Sequence, residues 1–195
     1  METKSPVFEI VTKKEIENLL KVRDTFSHKG TMGFALIIAG KRGMCGASVL
    51  ATKACLRSGA GKVAAVTATK NIDIMQISVP EAILQIEPNE THFTTPVDLS
   101  AYNAVAIGPG LGTHEETAKA LNAQLEMCDK PIVIDADALN ILGEHKEWQS
   151  LIPVGSILTP HAKEMDRLVG AGRISNYERL GNAIELSRKR GVYII

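Results

Sequence analysis

Aromatic side chains are scarce in this sequence, at 4% with a single tryptophan. Proteins that bind single-stranded nucleic acid stack bases on aromatic platforms and draw phosphates with surplus basic charge. Here 22 basic residues cancel 22 acidic ones, so nucleic acid and anionic membrane surfaces are excluded as partners. No apolar run approaches the ~20 residues of a membrane-spanning helix. Met1–Pro6 lacks the apolar segment of a secretory signal, so the expected location is the cytoplasm. Cysteines number three, widely spaced and without a Cys-x-x-Cys pair, which points to neither disulfides nor zinc. Hairpin signals, internal repeats, low-complexity tracts and linkers are also missing. What remains is a chain of 195 residues, 45% hydrophobic, read as a single domain spanning 1–195.

Apolar strand-like runs alternate with amphipathic helical stretches. Thr12-x-x-Glu15 is a capping-box spacing and opens a helix expected to reach about Phe26. Strands are expected at 34–39, 63–67, 82–86, 104–107, 131–134, 156–158 and from Val192. Helices are expected at 47–58, weakly at 69–78, and at about 114–127. Another opens at Thr159-Pro160 with proline in its first position, and one after Ser175-x-x-Glu178 runs to about Lys189. Residues 88–96 carry no periodicity and read as an exposed connection. Alternation without hairpins argues a mostly parallel sheet with helices on both faces, an α/β fold whose ligands sit beyond the C-terminal strand ends.

The stretch Gly108-Pro109-Gly110-Leu111-Gly112 follows one of those strands. Its glycines let the backbone turn sharply and approach a ligand. Thr113-x-x-Glu116 then has the spacing of a capping box, so strand, loop and helix start would aim N–H groups at an anion. The same spacing also serves a tight turn without any ligand. Gly40-x-x-Gly43-x-x-Gly46 is a second such loop; Ala47 and Ser48 follow it, so it is not a P-loop. A Rossmann reading of the Gly108 loop would need a sixth-position glycine where Thr113 stands, with Asp135 as the ribose acid.

Asp135 and Asp137, after the next strand, can approach a phosphate or Mg²⁺, or one of them can cap the helix at Ala138. Asn140 offers uncharged donor and acceptor groups suited to a ligand amide. His161, at a helix start, donates to an anion if protonated, and Glu164 one turn on can orient it. His92, His114 and His145 have no such company and read as surface residues.

Taken in order, His28-Lys29-Gly30, Ala39-Gly40 with Gly43-Met44-Cys45-Gly46-Ala47, Leu56–Gly61, Gly108–Gly112, Asp135–Asn140 and Leu158-Thr159-Pro160-His161 with Glu164 resemble the ADP/ATP-dependent NAD(P)H-hydrate dehydratases. That resemblance runs from about residue 27 onward. It implies a ribokinase-like fold and a repair lyase that phosphorylates hydrated NADH or NADPH with ADP or ATP and Mg²⁺, then eliminates phosphate. It also implies that Ala47, Gly110 and His161 contact the hydrated dinucleotide, with Gly112 and Asn140 nearby. Asp135, Asp137 and Glu164 fall near phosphate and metal. A homo-oligomer is the expected assembly. Two departures stand out. The family usually carries a small residue where this chain has Lys41, and its Gly-x-Gly-Asp motif, whose aspartate is the base, does not occur here. The chain therefore reads as lacking the C-terminal, catalytic part of the fold and as inactive in this form. The alternatives are a sibling small-molecule kinase or a truncated, non-catalytic dinucleotide-binding protein.

Overall fold

A computed structural model describes residues 9–20, 22–172 and 174–195. The stretch Met1–Pro6 lies outside them. Seven parallel strands form one sheet in the order β3-β2-β1-β4-β5-β6-β7. They are β1 (Phe34–Ile38), β2 (Lys62–Thr67), β3 (Ile83–Ile86), β4 (Ala104–Ile107), β5 (Val133–Ile134), β6 (Ile157–Leu158) and β7 (Tyr193–Ile194). The helices are α1 (Lys13–Leu19), α2 (Cys45–Arg57), α3 (Ile72–Ser78), α4 (Glu115–Glu126), α5 (Asp137–Glu144), α6 (Ala162–Val169) and α7 (Asn176–Arg190), with short 3₁₀ turns at Thr69–Asn71 and Lys146–Leu151. The expected α/β architecture is the one observed.

Successive residues of a strand face opposite sides of the sheet, and β1 divides accordingly. Ala35, Ile37 and Ala39 pack beneath Ala51, Cys55 and Leu56 of α2. Leu36 and Ile38 face the larger core with Leu121 and Leu125 of α4 and Leu139 and Leu142 of α5. Because both faces are covered, the central strands read as continuous apolar runs rather than alternating ones. Strand order changes direction between β1 and β4: from β1 the chain steps outward to β2 and β3, then returns to β4 on the other side. The crevice at this reversal is where such sheets bind ligands, and the two glycine loops leave β1 and β4 there.

Local readings hold at some helix ends and fail at others. Thr12 and Ser175 both close reciprocal capping boxes, with Glu15 and Glu178. Yet α1 ends at Leu19, well short of Phe26, because Ile16, Leu19 and Leu20 are exposed and bury nothing. A helix this short is marginal without tertiary packing. The expected box at Thr113 is absent: His114 is the N-cap of α4 and makes no side-chain cap bond. Pro160 lies before α6, not at its first position, because His161 is the N-cap. Val192 is buried, but the two-residue edge strand that follows has Tyr193 exposed and Ile194 half-buried, and Ile195 after it is exposed, so this is not the buried strand expected.

Candidate functional site

The loop after β1 and the loop after β4 are stitched together by backbone hydrogen bonds. Gly40 N donates to Pro109 O at 2.9 Å and Lys41 N donates to Gly110 O at 2.7 Å. This brings Gly110 (φ +63°) against the start of α2: a Cβ built on it would stand 2.8 Å from Ala47 Cβ and 3.2 Å from Met44 Cβ. Neither the left-handed backbone nor the space admits another residue easily. Gly108 is tighter still, at φ +133°, with a built Cβ only 1.8 Å from Asp135 O.

The Gly108 loop offers an anion fewer N–H groups than its composition suggested. Gly108 N donates to Ile38 O, Leu111 N to Gly108 O, and Gly112 N to Asp137 Oδ2 at 2.8 Å. The stronger anion-facing feature is α2. Met44 at its N-cap makes no side-chain cap bond, and a Cβ on Gly43 or Gly46 would meet nothing within 4 Å. Ala47 N donates to Met44 O at 3.1 Å, and the rest of the first turn of α2 carries the positive end of the helix toward the open space at Gly43 and Gly46. Helices α4 and α5, which open at the same edge of the sheet, likewise start without a side-chain cap.

Asp137 links the next strand end to this arrangement. While Oδ2 takes the Gly112 amide, Oδ1 accepts from Asn140 Nδ2 at 3.3 Å, and Asn140 Oδ1 accepts from Arg167 Nη1 of α6 at 2.5 Å. Neither aspartate caps α5. Its N-cap is Ala136, at φ +50° the one non-glycine residue with positive φ among the described residues. Such backbone strain persists only where surrounding contacts over-determine it, and it concentrates at functional sites. Asp135 is held by Thr159, whose hydroxyl donates to Oδ1 at 2.7 Å. Its other carboxylate oxygen meets no donor among the described residues. No group of three or more His, Cys, Asp or Glu able to hold a metal occurs among them either. Magnesium commonly takes only one or two carboxylates and completes its shell with water and phosphate oxygens. Asp135 fits that requirement as a direct ligand, and Asp137, with both oxygens engaged, fits it less well.

His161 Nδ1 accepts from Lys163 N at 3.1 Å and Glu164 N at 3.2 Å, capping α6, while the backbone N–H of His161 donates to Glu164 Oε2 at 2.9 Å. Nε2 lies 3.2 Å from Glu164 Oε1, a carboxylate that is itself buried. Ala47, Gly110, Gly112, Asp137 and Asn140 therefore form one continuous row of contacts. Asp135 is joined to Thr159, and His161 and Glu164 are joined to each other at the start of α6.

Several participants lie outside the sequence reading. Asn71, buried, donates from Nδ2 to Gly40 O, Lys41 O and Thr67 Oγ1 at 3.1, 3.2 and 2.9 Å, and so fixes the first glycine loop. Residues 88–96 are not a loose connection. They fold over the buried Glu87 carboxylate, which accepts from Asn89 N, Thr94 Oγ1 and Thr95 N, and Thr91 O accepts from Arg42 N at 2.7 Å. Of the histidines of this edge, His114 is exposed as expected, whereas His92 is half-buried. His92 Nε2 lies 2.8 Å from Glu116 Oε2 and its ring stacks on that of His114 at 4.7 Å. His145 stacks instead on Trp148, at the far end of α5. A cavity of ≈ 330 Å³ between α6 and α7, lined by Lys146, Gln149, Leu168, Lys189 and Arg190, touches none of the expected site residues. Burial pushes the thiols of Cys45, Cys55 and Cys128 up, which leaves them poor nucleophiles. No helix among the described residues is long and apolar enough to cross a membrane.

Comparison with known proteins identifies the family and the fold. The family model Carb_kinase, described as NAD(P)H-hydrate dehydratase, matches residues 35–195. An ADP-dependent (S)-NAD(P)H-hydrate dehydratase of Neisseria meningitidis is 39% identical over 159 residues, covering 78% of this chain and 51% of the relative. A bifunctional NAD(P)H-hydrate repair enzyme of Thermofilum pendens is 31% identical over 178 residues, 87% of this chain and 34% of the relative. Among solved structures, the ADP/ATP-dependent NAD(P)H-hydrate dehydratase of Bacillus subtilis, co-crystallised with ATP/Mg²⁺, superposes with a TM-score of 0.76 at 29% identity, over 94% of this chain and 64% of that one. A ribokinase-like superfamily protein of Enterococcus faecalis shares the fold with a TM-score of 0.77. The chain thus spans a third to about two thirds of the length of these proteins. With its ribokinase-like sheet and its glycine loops meeting at the strand-order reversal, the chain belongs to the NAD(P)H-hydrate dehydratase family.

Proposed function

We propose that residues 1–195 form the dinucleotide-facing part of one ribokinase-like domain that dehydrates hydrated NADH or NADPH with ADP or ATP as phosphoryl donor. The observation that carries this reading is the seam between Gly110 and Ala47 beside the uncapped start of α2. It leaves a narrow approach past two glycine loops to a helix N-terminus, which suits a phosphate-bearing ligand. The named relatives favour dehydration over the sibling kinase. In this reading Ala47, Gly110 and Gly112 shape the floor, Asn140 faces the nicotinamide amide, and His161 with Glu164 closes the side formed by α6. Asp135 would hold Mg²⁺ together with ligand phosphates. The ion offsets phosphate charge when bound. Asp137 is the group that keeps the Gly112 loop in register. The reading takes the protein as a cytoplasmic homo-oligomer, and exposed Leu50, Ile74 and Ile77 on α2 and α3 support self-association.

Titration calorimetry of the 195-residue polypeptide with NADPH hydrate tests the proposal. Saturable binding that Gly110→Val abolishes is the expected result. Absence of binding by a folded wild-type chain would overturn it.

A further inference from the structure

The backbone of Lys41 is fixed from several sides. Its N–H donates to Gly110 O at 2.7 Å, and its carbonyl accepts from Met44 N at 2.9 Å and from Asn71 Nδ2 at 3.2 Å. The side chain leaves from this fixed point and runs across Gly112. A Cβ built on that glycine would stand 2.8 Å from Lys41 Cδ and 3.3 Å from Cε. His114 flanks the same position, with Cδ2 at 3.6 Å. The residue is half-buried, yet its ammonium forms no ion pair among the described residues. Of the carboxylates of this edge, Asp137 is engaged by Gly112 and Asn140 and Glu116 by His92, while Asp135, held on one oxygen by Thr159, makes no ion pair with Lys41. Packing of the stem on Gly112 directs the ammonium beside the two glycine loops, and with no carboxylate paired to it the group is available to an anionic ligand.

We propose that Lys41 is a specificity-determining residue whose ammonium, laid over Gly112 between the two glycine loops, binds a phosphate group of the ligand. The dinucleotide as that ligand rests on the function proposed above; the phosphate chemistry rests on Lys41 itself. Either the pyrophosphate bridge or a ribose 2′-phosphate satisfies it, and two dinucleotides separate them.

The test is the affinity of the wild-type chain, Lys41→Met and Lys41→Arg for NADPH, NADH and inorganic pyrophosphate, measured by calorimetry at two salt concentrations. Lys41→Met keeps the stem and removes only the charge, and a thermal melt checks each fold. Lys41→Met should weaken a phosphate-bearing ligand about tenfold or more, and its residual binding should respond less to salt. Lys41→Arg should keep most of the wild-type affinity, and this rescue separates a charge role from a packing role. A loss confined to NADPH assigns the 2′-phosphate, whereas a loss shared by NADH and pyrophosphate assigns the bridge. Unchanged affinity of Lys41→Met for all three ligands would overturn the proposal while leaving the dinucleotide reading intact. Lys41-dependent binding of pyrophosphate without any dinucleotide binding would uphold the proposal and overturn that reading. No binding of any ligand by a folded wild-type chain would overturn both.

Discussion

Asp137 Oδ2 accepts the backbone N–H of Gly112 at 2.8 Å, so the first turn of α5 holds the far end of the glycine loop that leaves β4. Gly112 is buried, and its amide has no water to fall back on. Asp137→Ala should therefore cost about 1–3 kcal/mol, the penalty for leaving a buried donor unpaired. Asp137→Asn retains an acceptor oxygen at the same place and should lose much less. Denaturant melts of the two variants check this. Equal stability for alanine and asparagine would show that the hydrogen bond contributes nothing.

Gly110 combines a left-handed φ with a Cβ position already filled by Ala47 and Met44. Gly110→Val should abolish binding of phosphate-bearing ligands, since a β-branched side chain resists φ +63° and blocks the seam at once. Gly110→Ala should fall between the two, with a smaller clash and the same backbone strain. Wild-type affinity in the valine variant would reduce the Gly108–Gly112 loop to a simple turn.

His161 illustrates how a residue singled out for chemistry can also be structural. Read from the sequence, a protonated histidine at a helix start is an anion donor. In the structure its Nδ1 accepts two backbone amides and caps α6, so His161→Ala should lower stability by about 1 kcal/mol. His161→Asn supplies a good N-cap and should restore that stability. If His161 also contacts ligand, His161→Asn will melt like the wild type and still bind more weakly. Wild-type affinity in the asparagine variant would confine His161 to capping.

What the sequence made legible and what it hid follow from the range of the interactions. Strand, loop and helix order is local information: apolar runs, glycine clusters and cap spacings appear within ten residues of one another. The Ser175–Glu178 box was readable for that reason. Asn71 was not. Its three acceptors are Gly40 O, Lys41 O and Thr67 Oγ1, and two of these lie some thirty positions earlier, so nothing around Asn71 marks it as the clamp of the first glycine loop. Glu87 was hidden in another way. A Glu-Pro-Asn stretch has the composition of a solvated turn, and only the folded chain shows the carboxylate buried and satisfied by hydroxyl and amide donors of its own loop. Thr113-x-x-Glu116 shows the converse failure: the spacing is correct, but α4 takes His114 as its N-cap, so Glu116 falls out of register with Thr113. The candidate site residues could be singled out from the sequence because they lie in a glycine loop, at a strand end or in the first helical turns that follow one. Their mutual contacts depend on tertiary structure.

The join between α6 and α7 should depend on pH in a definite direction. Arg179 donates to Asp166 from Nε at 2.7 Å and from Nη2 at 2.9 Å, a two-point contact across the turn that separates the helices. These hydrogen bonds, with the charge of the guanidinium, hold the Asp166 carboxyl below its ordinary range. A carboxyl lowered in the folded state favours folding at any pH above its unfolded value, and the benefit fades as pH falls through the folded value. The same sign applies to Glu178, lowered by its cap to Ser175 at the start of α7. Wild-type and Asp166→Asn chains should therefore differ most near neutrality, and the gap in melting temperature should begin to narrow below about pH 4, where the unfolded carboxyl titrates, and go on closing as pH falls through the lower folded value. Both groups are near the surface, so the gap at neutrality should also shrink when salt is raised. Thermal melts from about pH 7 to about pH 3 at low and high salt read this directly. A gap that stays constant through the acid range would mean that the Asp166–Arg179 contact does not fasten α7 to α6.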